Sequence, residues 1–260
     1  MQATCTYLRP RLGVPRYLPG WTVQSATLAL MCGRFTMTYR EAELVAAELG
    51  VPIESLTDYR PRYNIAPTDP HWIVRARFED REILPAKWGL INFWAKDRKQ
   101  AFKGINARAE TVPKLPSFRA AFNERRCVVP ADGFFEWTGP KENRQPIWFH
   151  RSDGGLILFA GLYDSWRPSP TEKERTFTII TTTPNSLIEP IHNRMPVILE
   201  EQAVDDWLYA RQSPDSLMEL LRPARDDLLV GTPVSARVNS VKNDDPDCLA
   251  APGSGDTTED

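Results

Sequence analysis

Short segments of strand-like residues dominate the middle of the chain. Residues 71–78 alternate closely between apolar and polar positions, and residues 82–88 continue the pattern as a second segment. Alternation with a period of two is typical of a half-buried β-strand. Five further segments are rich in β-branched and aromatic residues and also predict strands: CVV at 127–129, FFEW at 134–137, PIWFH at 146–150, LILFAGLY at 156–163 and TFTIITTT at 176–183.

Helices are predicted at four places around these strands. Thr38 and Glu41 have the spacing of a capping box, which predicts a helix that ends near Gly50. Ser117 is a candidate N-cap for a short helix through Arg125. The remaining predicted elements are two helices, near 200–210 and 214–222, and a candidate last strand, SARVN at 235–239.

Many short strands with few helices predict an α+β fold. We expect one β-rich domain with a curved, barrel-like mixed sheet and peripheral helices, spanning residues 32–242. Residues 1–31 have no clear period and are expected to be an extension, either from a start codon assigned too far upstream or removed from the mature protein. Residues 243–260 are acidic and are expected to form a disordered tail.

A signal peptide is the alternative interpretation of the first thirty residues. Basic residues precede a mildly apolar stretch there, but Gln24, Ser25 and Thr27 interrupt it. A lipoprotein cleavage site needs a small residue before the cysteine, and Met31 is not small. We therefore favour Met31 as the true start.

Charge is unevenly distributed along the chain. The total is −2; residues 1–30 hold three basic and no acidic residues, and residues 243–260 hold six acidic and no basic ones. Removing both ends leaves residues 31–242 with a net charge of +1. A nucleic-acid surface on this domain therefore has to be a local basic patch.

Composition and cysteine spacing narrow the class of protein. With 42% hydrophobic and 25% charged residues, the chain resembles ordinary soluble globular domains, and no apolar run is long enough to span a membrane. The four cysteines contain no CxxC pair and the three histidines are far apart, so we expect neither a metal nor another cofactor. A disulfide framework is not expected, and the expected compartment is a reducing cytoplasm, with nucleoid association when DNA is bound.

The segment MCGRF at 31–35 carries the most distinctive chemistry. Removal of Met31 would give Cys32 a free α-amine and a thiol on adjacent carbons. The amine can condense with an aldehyde to a Schiff base, and the thiolate can then close a thiazolidine ring, which an internal cysteine cannot do. These groups ordinarily titrate near ~8 to ~8.5, so both are partly reactive at neutral pH. On MCG alone, a buried structural cysteine is the better interpretation.

Eight segments taken together change that interpretation. In order, they resemble the SOS-response-associated peptidase (SRAP) family over nearly all of residues 31–242, which is far more specific than one motif. The resemblance implies the SRAP fold and a DNA-damage response: covalent capture of abasic sites in single-stranded DNA, self-processing peptidase activity and AP-lyase-like chemistry. The segments are MCGRF (31–35), YNIAPT (63–68), KWGLI (87–91), INARAET (105–111), RRCVVPADGFFEW (125–137), FAGLYDSW (159–166), TIITTTPN (178–185) and IHNRMPVIL (191–199).

The resemblance implies a role for four catalytic positions. Cys32 matches the nucleophile, and Asn106 matches an asparagine that positions the cysteine or the sugar. Glu136 matches the acid implicated in exposing the cysteine and in proton transfer. His192 matches the histidine implicated in opening the sugar and in Schiff-base chemistry. In isolation, each of the last three has a better structural interpretation, as a turn residue, a polar strand residue and a core histidine respectively.

The aromatic neighbours of Glu136 support its role independently of the family. A carboxylate among Phe134, Phe135 and Trp137 would have its charged form disfavoured, which suits a proton shuttle. The resemblance further implies DNA contacts, at phosphates by Arg34, Arg108 and Arg194 and at bases by Trp88 and Phe102. Stacking does not depend on base identity, which suits a lesion without a base. Asn64 and Thr181 are secondary candidates for lining the site.

Two other functions remain open at this stage. Cys32, His192 and Asn106 are also the residue types of a cysteine peptidase or hydrolase triad. A plain single-stranded DNA binder would form a complex that dissociates in denaturant. For the main interpretation, the expected partner is single-stranded DNA with abasic sites, at replication forks or single–double-strand junctions. We expect a monomer and no membrane partner.

Overall fold

The computed structural model describes residues 33–140, 142–209 and 213–253. Within these residues there are twelve strands and four α-helices. The strands are β1 (Phe35–Met37), β2 (Arg62–Ile65), β3 (Pro70–Arg77), β4 (Asp80–Trp88), β5 (Asn106–Arg108), β6 (Arg126–Ala131), β7 (Gly133–Thr138), β8 (Gln145–Arg151), β9 (Ile157–Trp166), β10 (Glu174–Thr182), β11 (Met195–Pro196) and β12 (Leu229–Pro233). The helices are α1 (Ala42–Leu49), α2 (Pro116–Glu124), α3 (Val204–Leu208) and α4 (Pro214–Glu219).

Five of these strands close into a barrel. β10 pairs in parallel with β4 and antiparallel with β9, and the antiparallel pairs β4–β3, β3–β6 and β6–β9 complete the ring. The short strands β5 and β11 pair with β10 beyond β4 and β9. This arrangement confirms the predicted α+β fold with a barrel-like mixed sheet. The predicted extension 1–31 lies outside the described residues.

The second sheet is antiparallel and has the strand order β12-β8-β7-β1-β2. Its contact with the barrel includes Phe35, whose ring meets those of His71, Trp88 and Phe159 edge-on, with centroids 4.8 to 6.1 Å apart. All four rings are buried. The apolar positions of β1 therefore fix the second sheet against the barrel, and α1 to α4 lie around them.

The predicted start of the first helix is wrong. α1 begins at Ala42, and its N-cap residue, Glu41, makes no side-chain capping bond. Thr38 does not cap the helix, because its N–H and its hydroxyl both donate to the Asp132 carboxylate. The predicted end is confirmed: Gly50 has φ +63° and caps the helix in the left-handed region.

Two other elements also differ from the pattern. In α2 the N-cap residue is Leu115 rather than Ser117, and Pro116 occupies the first turn. The predicted strand at 235–239 is instead a 3₁₀ helix, Ala236–Asn239, whose N-cap Ser235 accepts from the Arg237 N–H. The cap by the Ser235 side chain favours this helix, because it competes with the backbone hydrogen bonds of strand pairing.

The predicted disordered tail is wrong for residues 243–253. The Asp244 carboxylate accepts from the backbone N–H groups of Tyr63 and Asn64 and pairs with Arg62, while Cys248 is completely buried. Asp244, which looks solvated in the sequence, is thus paired with specific donors on β2. Residues 254–260 lie outside the described residues.

Two features are missing from the described parts of the chain. None of the helices there has the length and apolar composition needed to cross a membrane. In the same residues, no three side chains among His, Cys, Asp and Glu are grouped so that they could hold a metal ion.

Candidate functional site

Three separate motifs meet on β10. Its β-branched run TFTIITT lies within a strand of nine residues, Glu174–Thr182, which is long enough to pair with β5 after β4 has ended. Ile179 lies opposite Asn106, and Thr181 lies opposite Arg108. On the other edge, Thr182 lies opposite Met195, which follows Arg194 in sequence. The predicted residues of INARAET, TIITTTPN and IHNRMPVIL are therefore brought together.

Arg194 is the buried member of an ion pair in this group. Its guanidinium donates to both carboxylate oxygens of Glu110, at 2.5 and 2.9 Å, and to the Thr181 carbonyl oxygen at 2.6 Å. The hydrogen bond from Arg194 is the largest influence that lowers the pKa of Glu110 below its ordinary value. In this structure the guanidinium of Arg194 binds the carboxylate of Glu110. The predicted contact between Arg194 and a DNA phosphate therefore stays a prediction.

His192 is oriented by the backbone of Arg194. The Arg194 N–H donates to His192 Nδ1 at 3.1 Å, and the Arg194 carbonyl oxygen lies 3.2 Å from the same nitrogen. Nδ1 therefore lies beside one donor and one acceptor of the Arg194 backbone. When Nδ1 accepts from the N–H, Nε2 carries the proton of the neutral ring; in the other tautomer Nδ1 donates to the carbonyl oxygen.

Glu136 lies on β7, next to the strand that leads away from Cys32. β1 pairs with β7 so that Phe35 lies opposite Phe134, and the same register continued places Gly33 opposite Glu136. Glu136 is buried, with 3% of its surface exposed. Cys32 itself lies outside the described residues, immediately before Gly33 in the sequence.

The aromatic setting predicted for Glu136 holds only in part. Successive side chains of a strand point to opposite faces. Phe134 shares the face of Glu136 and belongs to the main core, whereas Phe135 and Trp137 belong to a second cluster with Val238. One aromatic neighbour in sequence, rather than three, therefore lies on the glutamate's side of the sheet.

Arg34 and Asn64 hold the C-terminal segment. Arg34 Nη1 donates to Asn64 Oδ1 and to the Val238 carbonyl oxygen, both at 2.8 Å, and its guanidinium lies over the Trp137 ring at 5.8 Å. Burial lowers the pKa of Arg34. Asn64 is fully buried, and its amide also donates to carbonyls of residues 238–243. Asn64 therefore braces this segment, and the phosphate contact of Arg34 stays a prediction.

Trp88 is a core residue, and the predicted base stacking is wrong for it. Only 1% of its surface is exposed. Its ring lies edge-on to Phe35 and parallel to Phe177, and its N–H donates to the Ile105 carbonyl oxygen. The closed barrel leaves no face of this indole for a base. Phe102, by contrast, is 66% exposed, as its predicted role requires.

Sequence reasoning missed two aromatic residues, Phe93 and Trp94. They are 58% and 50% exposed and lie with Phe102 in residues 91–104, which we call the aromatic loop. The loop connects β4 to β5, and both of these strands pair with β10. Lys96, Lys99 and Lys103 are exposed on the same loop, which makes it a candidate for the local basic patch that a nucleic-acid surface on this domain would need. The available signal was the sequence FWAKDRKQAFK, in which aromatic and basic residues are interleaved.

The aromatic loop is anchored at several points. The buried carboxylate of Asp164 accepts from the Phe93 N–H at 3.1 Å, and the Trp166 N–H donates to the Ala95 carbonyl oxygen at 2.9 Å. At the neck, the Leu90 N–H donates to the Gly104 carbonyl oxygen at 2.9 Å. These bonds hold the exposed aromatic side chains on a fixed backbone.

Comparison with known proteins decides the family. The profile of the family described as SOS response associated peptidase (SRAP) matches residues 31–241. The chain belongs to the SRAP family. The abasic site processing protein YoqW of Bacillus subtilis (strain 168) is 39% identical over 223 residues, which cover 84% of this chain and 99% of YoqW. The abasic site processing protein HMCES of Rattus norvegicus is 34% identical over 232 residues, which cover 74% of this chain and 65% of HMCES.

A solved structure supports the SRAP fold. The crystal structure of a protein from Bacteroides thetaiotaomicron superposes with a TM-score of 0.75 and 29% sequence identity, covering 85% of this chain and 99% of that one. All the site residues described above fall inside the SRAP match. Among the matched residues are a buried carboxyl group, Glu136, on the second sheet, and the imidazole of His192 and the exposed Arg108 on the segments that meet at β10.

Proposed function

We propose that this SRAP protein processes abasic sites in DNA, and that it captures them covalently through Cys32 once Cys32 is the first residue. The names of its relatives, abasic site processing proteins, support the general function. The observation that carries the mechanism is the β1–β7 register, in which Phe35 lies opposite Phe134. Continued by two residues, this register sets buried Glu136 opposite Gly33, the residue after Cys32.

The capture reaction balances without a cofactor. The abasic sugar opens from its ring form to an aldehyde, and the α-amine of Cys32 adds to that carbon to give a carbinolamine. Loss of one water yields the Schiff base. The thiol then adds across the C=N bond, with sulfur joining carbon and the proton passing to nitrogen. The product is a thiazolidine, and one water is released overall.

The proton transfers in this scheme are assigned to Glu136 and His192. Glu136 takes the proton that the amine loses on attack, and the same carboxyl group activates a water against the Met31–Cys32 bond in self-processing. The Nε2–H of His192 serves the opening of the sugar and the departure of water. Asn106, which begins β5, positions the cysteine or the sugar.

DNA binding is assigned to the aromatic loop and to Arg108. Phe93, Trp94 and Phe102 present exposed rings on which unpaired bases can stack irrespective of identity. Arg108 is exposed two residues after Asn106, within reach of a phosphate beside the sugar. Stacking on free base faces favours single strands over paired ones, so single-stranded DNA, including that at fork junctions, is the proposed substrate.

A denaturing gel with abasic single-stranded DNA tests this function. Protein whose first residue is verified by mass as Cys32 should give a band that survives denaturant, and Cys32→Ala should give none. One uncleavable residue placed before Cys32 should also prevent the band. A normal cross-link in that extended protein would exclude the α-amine and favour a triad-type enzyme; binding without any denaturant-stable band would favour a plain DNA binder.

A further inference from the structure

We propose that Glu110 is a positioning residue of the capture reaction: it fixes Arg194 and, through the Arg194 backbone, holds His192 in the tautomer that the reaction uses. The inference rests on the proposed function, because it names a residue on which the same site depends. Neither the match to the family's catalytic residues nor the predicted DNA contacts includes Glu110.

The contacts form a continuous chain from Glu110 to His192. Glu110 receives two parallel hydrogen bonds from the Arg194 guanidinium, a geometry that fixes the plane of both groups. A third bond ties Arg194 to the Thr181 carbonyl oxygen. The Arg194 N–H in turn donates to His192 Nδ1. Each of these hydrogen bonds is no longer than 3.1 Å, so displacement of the Arg194 side chain would change the hydrogen bond that orients the imidazole of His192.

Burial makes this ion pair asymmetric. The side chain of Arg194 is 10% exposed, whereas that of Glu110 is 50% exposed. A buried cation without a counter-charge is costly, so loss of the carboxylate would drive Arg194 out of its position rather than leave it in place. The carboxylate also lies two residues after Arg108 and ties the end of β5 to the start of β11. Glu110 thus links the two segments that carry Asn106 and His192.

The same carboxylate affects DNA binding in the opposite direction. Glu110 neutralises Arg194 and adds a negative charge near the predicted phosphate contacts. Its removal should leave affinity for DNA unchanged or tighter, because a phosphate can then replace the carboxylate on Arg194. Substitution of a residue needed only for folding would weaken DNA binding and capture together. Measuring the affinity and the capture rate separately therefore distinguishes a positioning role from a role in folding.

The test compares Glu110→Gln, Glu110→Asp and Glu110→Ala with the matched control Glu82→Gln. Glu82 pairs with Arg75 at 2.6 Å on the barrel, so its variant loses the same kind of pair elsewhere. With the N-terminal cysteine verified by mass, we measure the capture rate at saturating abasic DNA and the affinity for undamaged single-stranded DNA. Nitrogen NMR of the histidine rings reports the His192 tautomer, with His192→Ala identifying its signals.

The expected outcome is a split between rate and affinity. Glu110→Gln and Glu110→Ala should slow capture on the order of 10–10²-fold, the typical loss from a misplaced catalytic group, without weakening DNA binding. His192 should lose its single Nε2–H tautomer, Glu110→Asp should recover part of the rate, and Glu82→Gln should match the parent. Parental rate and tautomer in Glu110→Gln, or equal losses of rate and affinity, would overturn the proposal. Absence of any cross-link in the parent would instead refute the proposed function. Comparison of the His192 tautomer in Glu110→Gln with that in the parent would then still test whether Glu110 positions His192.

Discussion

The indole N–H of Trp88 donates to the Ile105 carbonyl oxygen at 2.9 Å. Ile105 immediately precedes Asn106, the first residue of β5, and the edge of the same indole meets Phe35 of β1. One buried side chain therefore connects the strand that follows Cys32 with the strand that carries Asn106. The two halves of the candidate site are held at a fixed separation by core packing.

Trp88→Phe should destabilise the fold without a direct effect on base stacking. Phenylalanine keeps most of the apolar contacts but removes the indole donor, so the Ile105 carbonyl oxygen keeps only the longer bond from the Ile179 N–H at 3.3 Å. The loss of one buried hydrogen bond costs about 0.5–1.5 kcal/mol. Urea unfolding measures this loss, and binding to undamaged single-stranded DNA should remain parental. Weakened binding with parental stability would restore the stacking role expected from the sequence.

Phe93→Ala and Trp94→Ala should show the reverse behaviour. Each should weaken binding to single-stranded DNA by about 1–3 kcal/mol if a base stacks on the ring, with unfolding free energies within about 0.5 kcal/mol of the parent, since both rings are exposed. Phe78→Ala is the matched control, because Phe78 is 86% exposed outside the aromatic loop. Equal affinities for all three variants would remove the loop from the interface.

Asp244→Ala should destabilise the domain. The carboxylate accepts two backbone N–H groups of β2 and pairs with Arg62, and hydrogen bonds to a charged group each contribute about 1.5–3 kcal/mol. We expect a loss on the order of 2–3 kcal/mol by urea unfolding. Asp247→Ala is the control, because Asp247 is exposed in the next turn and should change stability by less than about 0.5 kcal/mol. A null effect at Asp244 would mean that the C-terminal segment does not pack as described.

His71 should make the fold acid-sensitive. Burial lowers its pKa from 6.5 to about 4, and its Nε2 lies 2.7 Å from the Pro130 carbonyl oxygen. Between these values the unfolded chain binds a proton that the folded one does not, so stability is full above pH ~6.5 and falls as the pH drops towards ~4. The loss should be about 3 kcal/mol. His71→Gln, compared by unfolding across this range, should lose that much less; identical profiles would contradict the assignment. Burial also lowers the pKa of His150, but that residue is present in both proteins and cancels in the comparison.

Period-two alternation predicted β3 and β4, whose positions are only partly buried. β-Branched and aromatic content predicted β6, β9 and β10, which are buried on both faces. Neither signal could distinguish aromatic residues inside the barrel from those on the aromatic loop. Trp88 and Trp94 both lie in short segments that mix apolar residues with a lysine, and only the closure of β4 against β10 decides which is buried. Composition likewise marked residues 243–253 as a tail, because their partners on β2 are about 180 residues away.

The residues of the candidate site could likewise be predicted from the sequence only in part. Asn106, Arg108, Thr181 and His192 could be named because they lie in ordered motifs, and pairing on β10 brings their segments together. Glu110 was inside one of those motifs but carried no distinguishing pattern. Its importance depends on the buried partner Arg194, 84 residues later, and such a contact follows from the fold rather than from spacing.

Intact mass of the adduct tests the central claim most directly. Protein beginning at Cys32 is incubated with a single-stranded oligonucleotide that carries one abasic site, and the product is weighed after denaturation without added reductant. The account predicts one species at the summed masses of protein and oligonucleotide less one water, and peptide mapping that assigns the modification to Cys32. A species of that mass with the linkage at another residue, or only the separate masses of protein and DNA, would contradict capture by the N-terminal cysteine.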